Sequence, residues 1–464
     1  ADTMYNKYVN NKISLSQLLV YGIKNNWINL DNLEIDNNYY SSEEVFQKLV
    51  SYIVDEIQDD SKFDKKVYHS MVDSGVLSGR EICLLLYDQK VLKKKISTYQ
   101  KLQAGMISPY SFLKSKIRSL EISAGDLGLT PCSCAVIVTD VKTGKVKALT
   151  SYPSYDNNKF ANSVDADYYA KISTSSASPL LNRATQQKAA PGSTFKMVTA
   201  TTALEEGIIN PYTRIHDGVQ FNKINKPWPK CWSTYSHGNI NVSQAIQHSC
   251  NYFFYEMGYR LGNGHNTLVD NEKGLSKLKK YAEKYGLTEK SGIELPEAEP
   301  TFSDVDVVRS AIGQGSHSYT PVQMSRYVTT IANGGTCFDL TLIQKIKDAK
   351  SKTQDKKLSN VRNKLNFQSS TLTAIKTGMK NVVQAGSIKS LFNNVNVTVA
   401  GKTGTAQITN NEPNHALFVS FAPYENPEIS ITVVIPNGFS SSNAAELASK
   451  VYPVSYTHLR AHET

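Results

Sequence analysis

Apolar residues at helical spacing dominate the chain up to about residue 122. Residues 41–44 form a capping box, and apolar side chains follow at four-residue spacing on one face over residues 45–57. Residues 78–81 form a second capping box. Ser108-Pro109 begins another helix, with the proline in the first turn, where its missing N–H group is not needed. This first region is therefore predicted to be mostly helical.

Strand patterns occur in two groups that flank a long helical stretch. The first two strands are joined as a hairpin across residues 142–144, helical patterning dominates residues 191–333, and an amphipathic helix over residues 444–451 follows the last strand. Distant segments must then share one sheet covered by helices on both faces, so the predicted fold class is α/β (α+β). The predicted strands are residues 135–139, 146–150, 397–403, 416–421 and 428–435.

Three segments are expected from the length and from these changes of pattern. At 464 residues the chain can hold two or three domains. Residues 1–122 form the helical region, residues 123–454 form one large domain, and residues 455–464, which show no periodicity, form a non-native tail. The composition, with 40% hydrophobic and 20% charged residues, is that of a globular protein, and no run of eighteen apolar residues predicts a membrane span.

Basic residues concentrate between residues 90 and 118 of a chain whose net charge is +10. A solvated helical face is the favoured interpretation, and a surface that meets an anionic membrane or cell-wall polymer is the sharper alternative. No nucleic acid partner is expected, because zinc-finger spacing, an RNA-recognition aromatic signature and a basic region leading into heptads are all lacking. The basic stretch consists of Lys90, Lys93, Lys94, Lys95, Lys101, Lys114, Lys116 and Arg118.

Ser193 and Lys196, in the string STFK, make the first chemical motif. On a helix this spacing places both side chains on one face, so the amine can reach the hydroxyl. The preceding Pro-Gly dipeptide fits the start of that helix, where the Ser193 N–H would face an oxyanion. Lys196 can act as a base only when neutral, and burial together with a second cation such as Lys402 would lower its pKa.

Two further motifs follow in order along the chain. The string SCN at residues 249–251 offers a proton carrier and a side-chain amide, and KTGT at residues 402–405 offers a cationic strand that can bind an anion. A lone S-x-x-K is a weak signal, since chance produces roughly two in a chain of this length. All three motifs in this order are the signature of penicillin-binding proteins and serine β-lactamases.

The chain resembles class B penicillin-binding proteins, the D,D-transpeptidases of peptidoglycan synthesis, from about residue 126 to residue 454. The resemblance implies the penicillin-binding and serine β-lactamase-like transpeptidase fold. That fold has a five-stranded, mainly antiparallel sheet with helices on both faces, here preceded by the helical N-terminal region. The segments that carry the resemblance are residues 146–156, 182–184, 190–196, 249–251, 313–315, 320–324 and 401–406.

The resemblance implies a role for each residue of the three motifs. Ser193 would be the acylated nucleophile and Lys196 its activating base. Ser249 would relay a proton, and Asn251 would hydrogen-bond the substrate amide. The Thr405 N–H would complete an oxyanion hole with that of Ser193. The residues of the third motif would bind the substrate, its carboxylate in particular, and these are Lys402, Thr403, Gly404 and Thr405.

The function implied by the resemblance is the cross-linking of peptidoglycan stem peptides. Ser193 would attack the penultimate D-Ala carbonyl, terminal D-Ala would leave, and an amine of a neighbouring stem would take the acyl group, with no cofactor for catalysis. β-Lactams would acylate the same serine. The same acyl-serine chemistry would serve a D,D-carboxypeptidase or a serine β-lactamase. A non-catalytic β-lactam-binding sensor or scaffold is the alternative from another class.

The resemblance also implies partners and a location. The partners are peptidoglycan stem peptides, β-lactams and a membrane glycosyltransferase of the RodA/FtsW type. The location is the outer face of the cytoplasmic membrane, with the domain extracytoplasmic and its membrane anchor outside this chain. Neither follows from the residues themselves, and both come from the resemblance.

Four residues with metal-binding side chains lie in or before the second motif: Asp217, Cys231, His237 and Cys250. This donor set suits tetrahedral Zn²⁺, but spacing alone favours a Cys231–Cys250 disulfide, or two buried thiols with an unrelated histidine. The segment also resembles the elongation-type subgroup called PBP2. Its members carry a structural zinc at matching positions, often with aspartate where this chain has Cys231, and that resemblance favours structural Zn²⁺. His317 is expected on the surface.

Overall fold

The computed structural model describes most of the chain. It divides into two compact units, residues 1–126 and 127–464. No helix in the described ranges combines the length and the apolar character needed to cross a bilayer. The described residues are 3–31, 33, 40–58, 60–93, 95–119, 121–122, 133–175, 177–347, 353–355, 360–406 and 413–461.

Every helix or strand that the structure describes in the first unit is a helix. The Ser41 hydroxyl accepts from the Glu44 N–H while the Glu44 carboxylate accepts from the Ser41 N–H, and Ser78 and Glu81 repeat this capping box. The helical character predicted for this region is confirmed. Its helices are α1 (Thr3–Val9), α2 (Leu15–Lys24), α3 (Ser42–Ile57), α4 (Ser61–Asp73), α5 (Gly79–Asp88), α6 (Ile96–Gln103) and α7 (Pro109–Arg118).

Strands of the second unit come from both ends of its sequence. The six short strands that the structure describes pair two by two, apart from the main sheet: Ile215–His216 with Asn239–Ile240, Thr336–Phe338 with Val361–Lys364, and Ile346–Lys347 with Thr353–Asp355. The full set is β1 (Cys134–Asp140), β2 (Val146–Tyr152), β3 (Ile215–His216), β4 (Asn239–Ile240), β5 (Thr336–Phe338), β6 (Ile346–Lys347), β7 (Thr353–Asp355), β8 (Val361–Lys364), β9 (Ala400–Ala406), β10 (His415–Ala422) and β11 (Ile429–Ile435).

A five-stranded antiparallel sheet with the order β2-β1-β11-β10-β9 organises this unit. The β1–β2 hairpin and the five strands predicted from the sequence are confirmed. β9 begins three residues later than expected, because ladder pairing with β10 starts where Ala400 meets Phe421. As an edge strand β9 pairs only with β10, so its outer edge faces away from the sheet.

Helices cover both faces of the sheet, as predicted. Thr329, in the helix Pro321–Ala332, forms a hydrogen bond with Ser430 of β11 at 2.7 Å, and Tyr452, in the helix Ser441–Ala461, donates to Ser420 of β10 at 2.8 Å. Ser430 pairs with Phe421, the neighbour of Ser420, so the two helices lie on opposite faces. The helices are α8 (Ala166–Ser173), α9 (Lys196–Glu205), α10 (Val242–Gln247), α11 (Asn251–Leu261), α12 (Asn271–Lys284), α13 (Val307–Ser310), α14 (Pro321–Ala332), α15 (Ser369–Gln384) and α16 (Ser441–Ala461).

Two parts of the second unit differ from the sequence expectation. Residues 206–241, predicted to be helical, form loops with only the short β3–β4 pair, because asparagine, proline and glycine punctuate this segment. The last helix runs beyond residue 455, which the sequence pattern left outside the fold. Tyr452 is fully buried and stacks with Tyr456 one turn later, so packing carries the helix past Pro453.

Candidate active site

Ser193 lies in a short 3₁₀ turn, Gly192–Phe195, that leads directly into α9. The turn is held from within and from α14: the Thr194 hydroxyl donates to the Pro191 carbonyl at 2.6 Å, and the Tyr327 hydroxyl donates to the Thr194 carbonyl at 3.1 Å. Thr194 is fully buried, whereas Ser193 is half-buried. The turn therefore presents the serine from a rigid support.

Glycines allow three segments to meet at this turn. Gly192 has a φ of +50°, and its N–H donates to the Gly313 carbonyl at 3.1 Å. A Cβ atom on Gly192 would lie 2.7 Å from the Thr405 carbonyl oxygen, and a Cβ on Gly404 would lie 2.8 Å from the Thr194 side chain. Strand β9 and the loop at Gly313 therefore both contact the serine turn through main-chain atoms.

Lys196, the first residue of α9, is fully buried and reaches the second motif. Its Nζ donates to the Ser249 carbonyl at 2.8 Å and to Asn251 Oδ1 at 2.7 Å, and it lies 3.2 Å from Ser249 Oγ. All three partners are uncharged oxygens. Burial lowers the pKa of Lys196 to about 8, against the opposing influence of the charges at Cys250 and Cys231.

Lys402 approaches Ser249 from strand β9. Its side chain is fully buried, and Nζ donates to Ser249 Oγ at 2.8 Å and to the Thr403 carbonyl at 3.0 Å. Burial, reinforced by repulsion from Lys196, holds the pKa of Lys402 well below its usual value. One hydroxyl therefore lies between two buried amines.

The second motif is the tight turn between α10 and α11. Ser249 has a φ of +51°, a left-handed conformation that is uncommon outside glycine, and Asn251 begins α11. This backbone directs the Ser249 hydroxyl and carbonyl, and the Asn251 amide, toward Lys196. The structure thus brings together Lys196, Ser249, Asn251 and Lys402, which are far apart in sequence.

The third motif divides between the inside and the outside of the sheet edge. Lys402 was expected to contact the substrate carboxylate directly, but its buried amine is occupied by Ser249 and by the strand itself. Thr403 is half-buried and Thr405 is exposed, so these two side chains are the ones accessible from solvent. Gly404 packs against the serine turn.

Asp217, Cys231, His237 and Cys250 form one cluster, and one ligand atom from each lies within 4.8 Å of all the others. Asp217 Oδ2 is 2.6 Å from His237 Nδ1, which is 3.9 Å from Cys231 Sγ. Both cysteines are free thiols in this structure. A hydrogen bond from Cys250 lowers the pKa of Cys231 to about 5, and the same contact raises that of Cys250.

This cluster is connected directly to the second motif. The Asn251 N–H donates to Cys231 Sγ at 3.3 Å, and the Trp232 indole N–H donates to the His248 carbonyl at 3.1 Å. The rings of His237 and His248 lie 5.4 Å apart. The loop that carries Cys231 and His237 therefore supports the turn that presents Ser249.

Sequence reasoning missed the supports of the serine turn. His317, expected on the surface, is buried with its ring 4.3 Å from that of Phe195, and its Nδ1 accepts from the Ser303 N–H at 3.0 Å. Burial lowers the pKa of His317 to about 3, so the ring is neutral at ordinary pH. No local pattern marks His317 or Tyr327 as neighbours of the turn, because both come from loops and helices more than a hundred residues away.

Comparison with known families agrees with this architecture. Residues 134–453 match the penicillin binding protein transpeptidase domain, which covers well over half of the chain. The chain therefore belongs to the penicillin-binding protein transpeptidase family. The matched range begins at the first strand of the sheet and ends within α16, so it contains all three motifs.

Named relatives show the same likeness. The peptidoglycan D,D-transpeptidase MrdA of Haemophilus influenzae is 32% identical over 351 residues, which are 68% of this chain and 52% of that protein. PBP2 of Helicobacter pylori, solved in complex with MreC, shares 27% identity at a TM-score of 0.60, covering 70% of this chain and 60% of that one. Penicillin-binding protein A of Mycobacterium tuberculosis, solved as an imipenem acyl-enzyme, shares 25% identity at a TM-score of 0.62, covering 70% and 74%. The chain spans about half the length of the curated relatives it matches.

Proposed function

We propose that the protein is a serine D,D-transpeptidase that cross-links peptidoglycan stem peptides and is acylated by β-lactams. The observation that carries this proposal is the position of Ser249 Oγ, 2.8 Å from the Lys402 amine and 3.2 Å from the Lys196 amine. Two buried amines that share one hydroxyl are costly to fold and serve proton transfer. The family membership and the names of the relatives support the same reaction.

The hydrogen bonds of Lys196 fit a neutral amine, the form that a base requires. A neutral amine has two N–H bonds and one lone pair, and Lys196 has two acceptors without hydrogens, the Ser249 carbonyl and Asn251 Oδ1. The lone pair is then left for a hydroxyl proton. Repulsion between the two buried amines, which also lowers the pKa of Lys402, disfavours the state in which both carry a charge.

In the proposed first half-reaction, Ser193 Oγ attacks the carbonyl carbon of the penultimate D-Ala while its proton passes to Lys196. The N–H groups of Ser193 and Thr405 stabilise the oxyanion. The C–N bond then breaks, and the proton returns from Lys196 through the Ser249 hydroxyl to the nitrogen of the departing D-Ala. The acyl group remains as an ester on Ser193.

The second half-reaction reverses these proton movements. An amine of a neighbouring stem peptide attacks the ester carbonyl, and Lys196 takes its proton. The ester bond breaks, Ser193 Oγ recovers a proton, and the new peptide bond is the cross-link. The chemistry uses only groups of the chain and of its two substrates.

Substrate binding is proposed along the outer edge of β9, which pairs with no other strand of the sheet. An extended stem peptide can add to this edge by main-chain hydrogen bonds. The exposed Thr405 and half-buried Thr403 would bind the substrate carboxylate, and Gly404 keeps the strand close to Ser193. Lys402 would contribute its field from below rather than a direct contact.

A structural Zn²⁺ is proposed at the cluster of Asp217, Cys231, His237 and Cys250. Carboxylate, imidazole and two thiolates are donors that zinc prefers, and their mutual approach within 4.8 Å is compatible with one ion. Four protein ligands would leave no open position, so the ion would stabilise structure only. It would fix the loop that supports the Ser249 turn.

The setting of the enzyme is likewise proposed. Residues 123–454 would form the transpeptidase domain and residues 1–122 its helical N-terminal region. The domain would lie at the outer face of the cytoplasmic membrane and work with a glycosyltransferase of the RodA/FtsW type. The similarity to a PBP2 solved in complex with MreC supports the elongation-type subgroup and a place in a cell-wall assembly.

Labelling with fluorescent penicillin, followed by intact mass, tests the nucleophile. The wild type should gain one penicilloyl group, Ser193→Ala should gain none, and Ser163→Ala, an exposed serine outside the motifs, should label normally. Labelling of Ser193→Ala at the wild-type level would refute the assignment.

Reaction with stem-peptide substrates distinguishes the candidate functions. D-Ala release together with a dimeric product supports the transpeptidase. Release without a dimer indicates a carboxypeptidase, no release indicates a sensor, and rapid turnover of a chromogenic β-lactam indicates a β-lactamase.

Metal content and thermal unfolding test the zinc site. One Zn²⁺ per chain is expected, with loss of metal and a lower Tm in His237→Ala and Cys231→Ser. Cys337→Ser, a buried thiol outside the cluster, is the matched control and should retain the metal. Stoichiometric metal in both cluster variants would refute these ligands, and a metal-free wild type with a Cys231–Cys250 bond would replace zinc by the disulfide.

A further inference from the structure

The loop between α5 and α6 in the first unit combines exposed lysines with exposed aliphatic side chains. We call residues 89–93 and 95–96 the basic loop. Lys90, Lys93 and Lys95 are exposed, and so are Val91, with 40% of its surface accessible, and Ile96, with 70%. The sequence favoured a solvated helical face for these lysines, but the structure places all three outside the helices.

The basic loop is fixed to the helices on either side of it. Leu92 is almost fully buried and its N–H donates to the Leu86 carbonyl at 2.9 Å, while the Lys90 N–H donates to the Tyr87 carbonyl at 3.1 Å. The Lys95 carbonyl accepts from the first turn of α6. Because Leu92 anchors the loop inward, its charged and aliphatic neighbours are presented to solvent together.

The charges at this end of the unit are predominantly positive. Exposed Arg118 ends α7, and Lys95 lies close enough to Glu121 to help lower its pKa, although hydrogen bonding from Lys116 is the largest cause. Glu121 is already paired with Lys116 at 2.7 Å. Among the residues that the structure describes, none forms an ion pair with Lys90, Lys93, Lys95 or Arg118. Asp88, the last residue of α5, adds a negative charge next to the loop in sequence, and it already has an interaction partner.

We propose that the basic loop docks on the surface of an anionic lipid bilayer. The lysines would lie at the level of the lipid phosphates, and Val91 and Ile96 would enter the interface beside them. Charge complementarity alone would also suit a soluble polyanion. Val91 and Ile96 are exposed beside these lysines, and a bilayer interface accommodates aliphatic side chains as well as cations. The location rests on the proposed function, but the contact itself does not depend on catalysis.

Vesicle co-sedimentation of the full chain tests this proposal. We expect binding to phosphatidylcholine vesicles that contain phosphatidylglycerol and none to phosphatidylcholine alone. Replacing Lys90, Lys93 and Lys95 by glutamine should weaken binding about five-fold for each lysine, hence roughly 100-fold together. The matched control replaces Lys273, Lys279 and Lys389, exposed lysines of the second unit, with the same change in net charge. It should bind like the wild type.

The aliphatic contribution has its own variants. Ile96→Ser and Val91→Ser change exposed side chains, and Ile96→Ser should weaken vesicle binding about ten-fold. Absence of binding to anionic vesicles, or equal losses in the two lysine triples, would overturn the proposal. The proposal would also be overturned if both serine variants bound vesicles like the wild type and soluble polyphosphate competed with the vesicles. That result would indicate a surface for soluble polyanions. Penicillin labelling of the same proteins should stay normal, which separates this outcome from failure of the proposed enzyme.

Discussion

Lysines are buried in one region of the molecule and exposed in another, and their roles differ accordingly. In the cleft formed by the three motifs, Lys196 and Lys402 are fully buried. Both amines donate to uncharged oxygens, and both lie close to the Ser249 hydroxyl. In the basic loop, Lys90, Lys93 and Lys95 are exposed to water. The residue type is the same, and only the environment differs.

The difference shows that burial, not composition, makes a lysine into a base. An ammonium group removed from water loses its solvation, so its pKa falls and the neutral amine becomes available. An ammonium group left in water keeps its charge and acts at a distance on other charges. Changes in each region should therefore have different consequences.

Removing the buried base should have the largest effect. Lys196→Ala should lower the second-order rate constant of acylation by penicillin roughly 10²–10⁴-fold, the range typical for a general base. Lys196→Arg should be similarly slow, because a guanidinium group does not release its proton. Stopped-flow acylation measures both, with thermal unfolding to check the fold. An arginine variant close to the wild-type rate would mean that charge alone is needed at this position.

Removing the second buried amine should have a smaller effect. Lys402→Met deprives Ser249 Oγ of its 2.8 Å donor and removes the repulsion between the two buried amines. We expect acylation about 10–10² times slower at pH 7. The pKa seen in the rate profile should also move upward. A slower variant with an unchanged pH profile would show that Lys402 acts without influencing Lys196.

Changing pH should act on the cleft with a defined sign. Because the pKa of Lys196 is lowered to about 8 and the neutral form is the reactive one, acylation should speed up as pH rises through 8. The expected gain is about ten-fold between pH 7 and pH 9, with a plateau above. Rate constants measured over this range, with a stable β-lactam, test it. A rate that falls over this range would assign the base to another group.

Salt should affect the cleft least. Lys196 and Lys402 are buried, and screening acts mainly on exposed charges. The rate constant of acylation by penicillin should therefore change less than about two-fold between roughly 50 and 300 mM NaCl. Vesicle binding through the basic loop should fall steeply over the same range. Equal sensitivity of both measurements would erase the distinction between the two regions.

The sequence could supply the chemistry of the site and most of the fold. Capping boxes, the hairpin and the apolar runs of β10 and β11 are local patterns, and they predict local structure. The strings around Ser193, Ser249 and Lys402 name their chemical groups through residue type and order. Those signals need no knowledge of distant contacts.

What the sequence could not supply depends on distant contacts. The burial of Lys402 follows from packing under Ser249, which is 153 residues away. The ring of His317 packs against that of Phe195, and no sequence pattern near position 317 indicates this contact. The basic loop was mistaken for a helical face because its anchor, Leu92, can be recognised only when the neighbouring helices are in place.

The meeting of main chains at Gly192 has a consequence for inhibition. Since a Cβ atom there would lie 2.7 Å from the Thr405 carbonyl oxygen, position 192 has no room for a side chain unless the serine turn and β9 move apart. We expect substitutions that reduce inhibition to fall on other residues around Ser193 and not on Gly192. We therefore expect resistance to a well-fitting inhibitor to arise through slower acyl transfer or through changed side chains around the opening of the site, and not through a closer approach of Gly192 and Thr405.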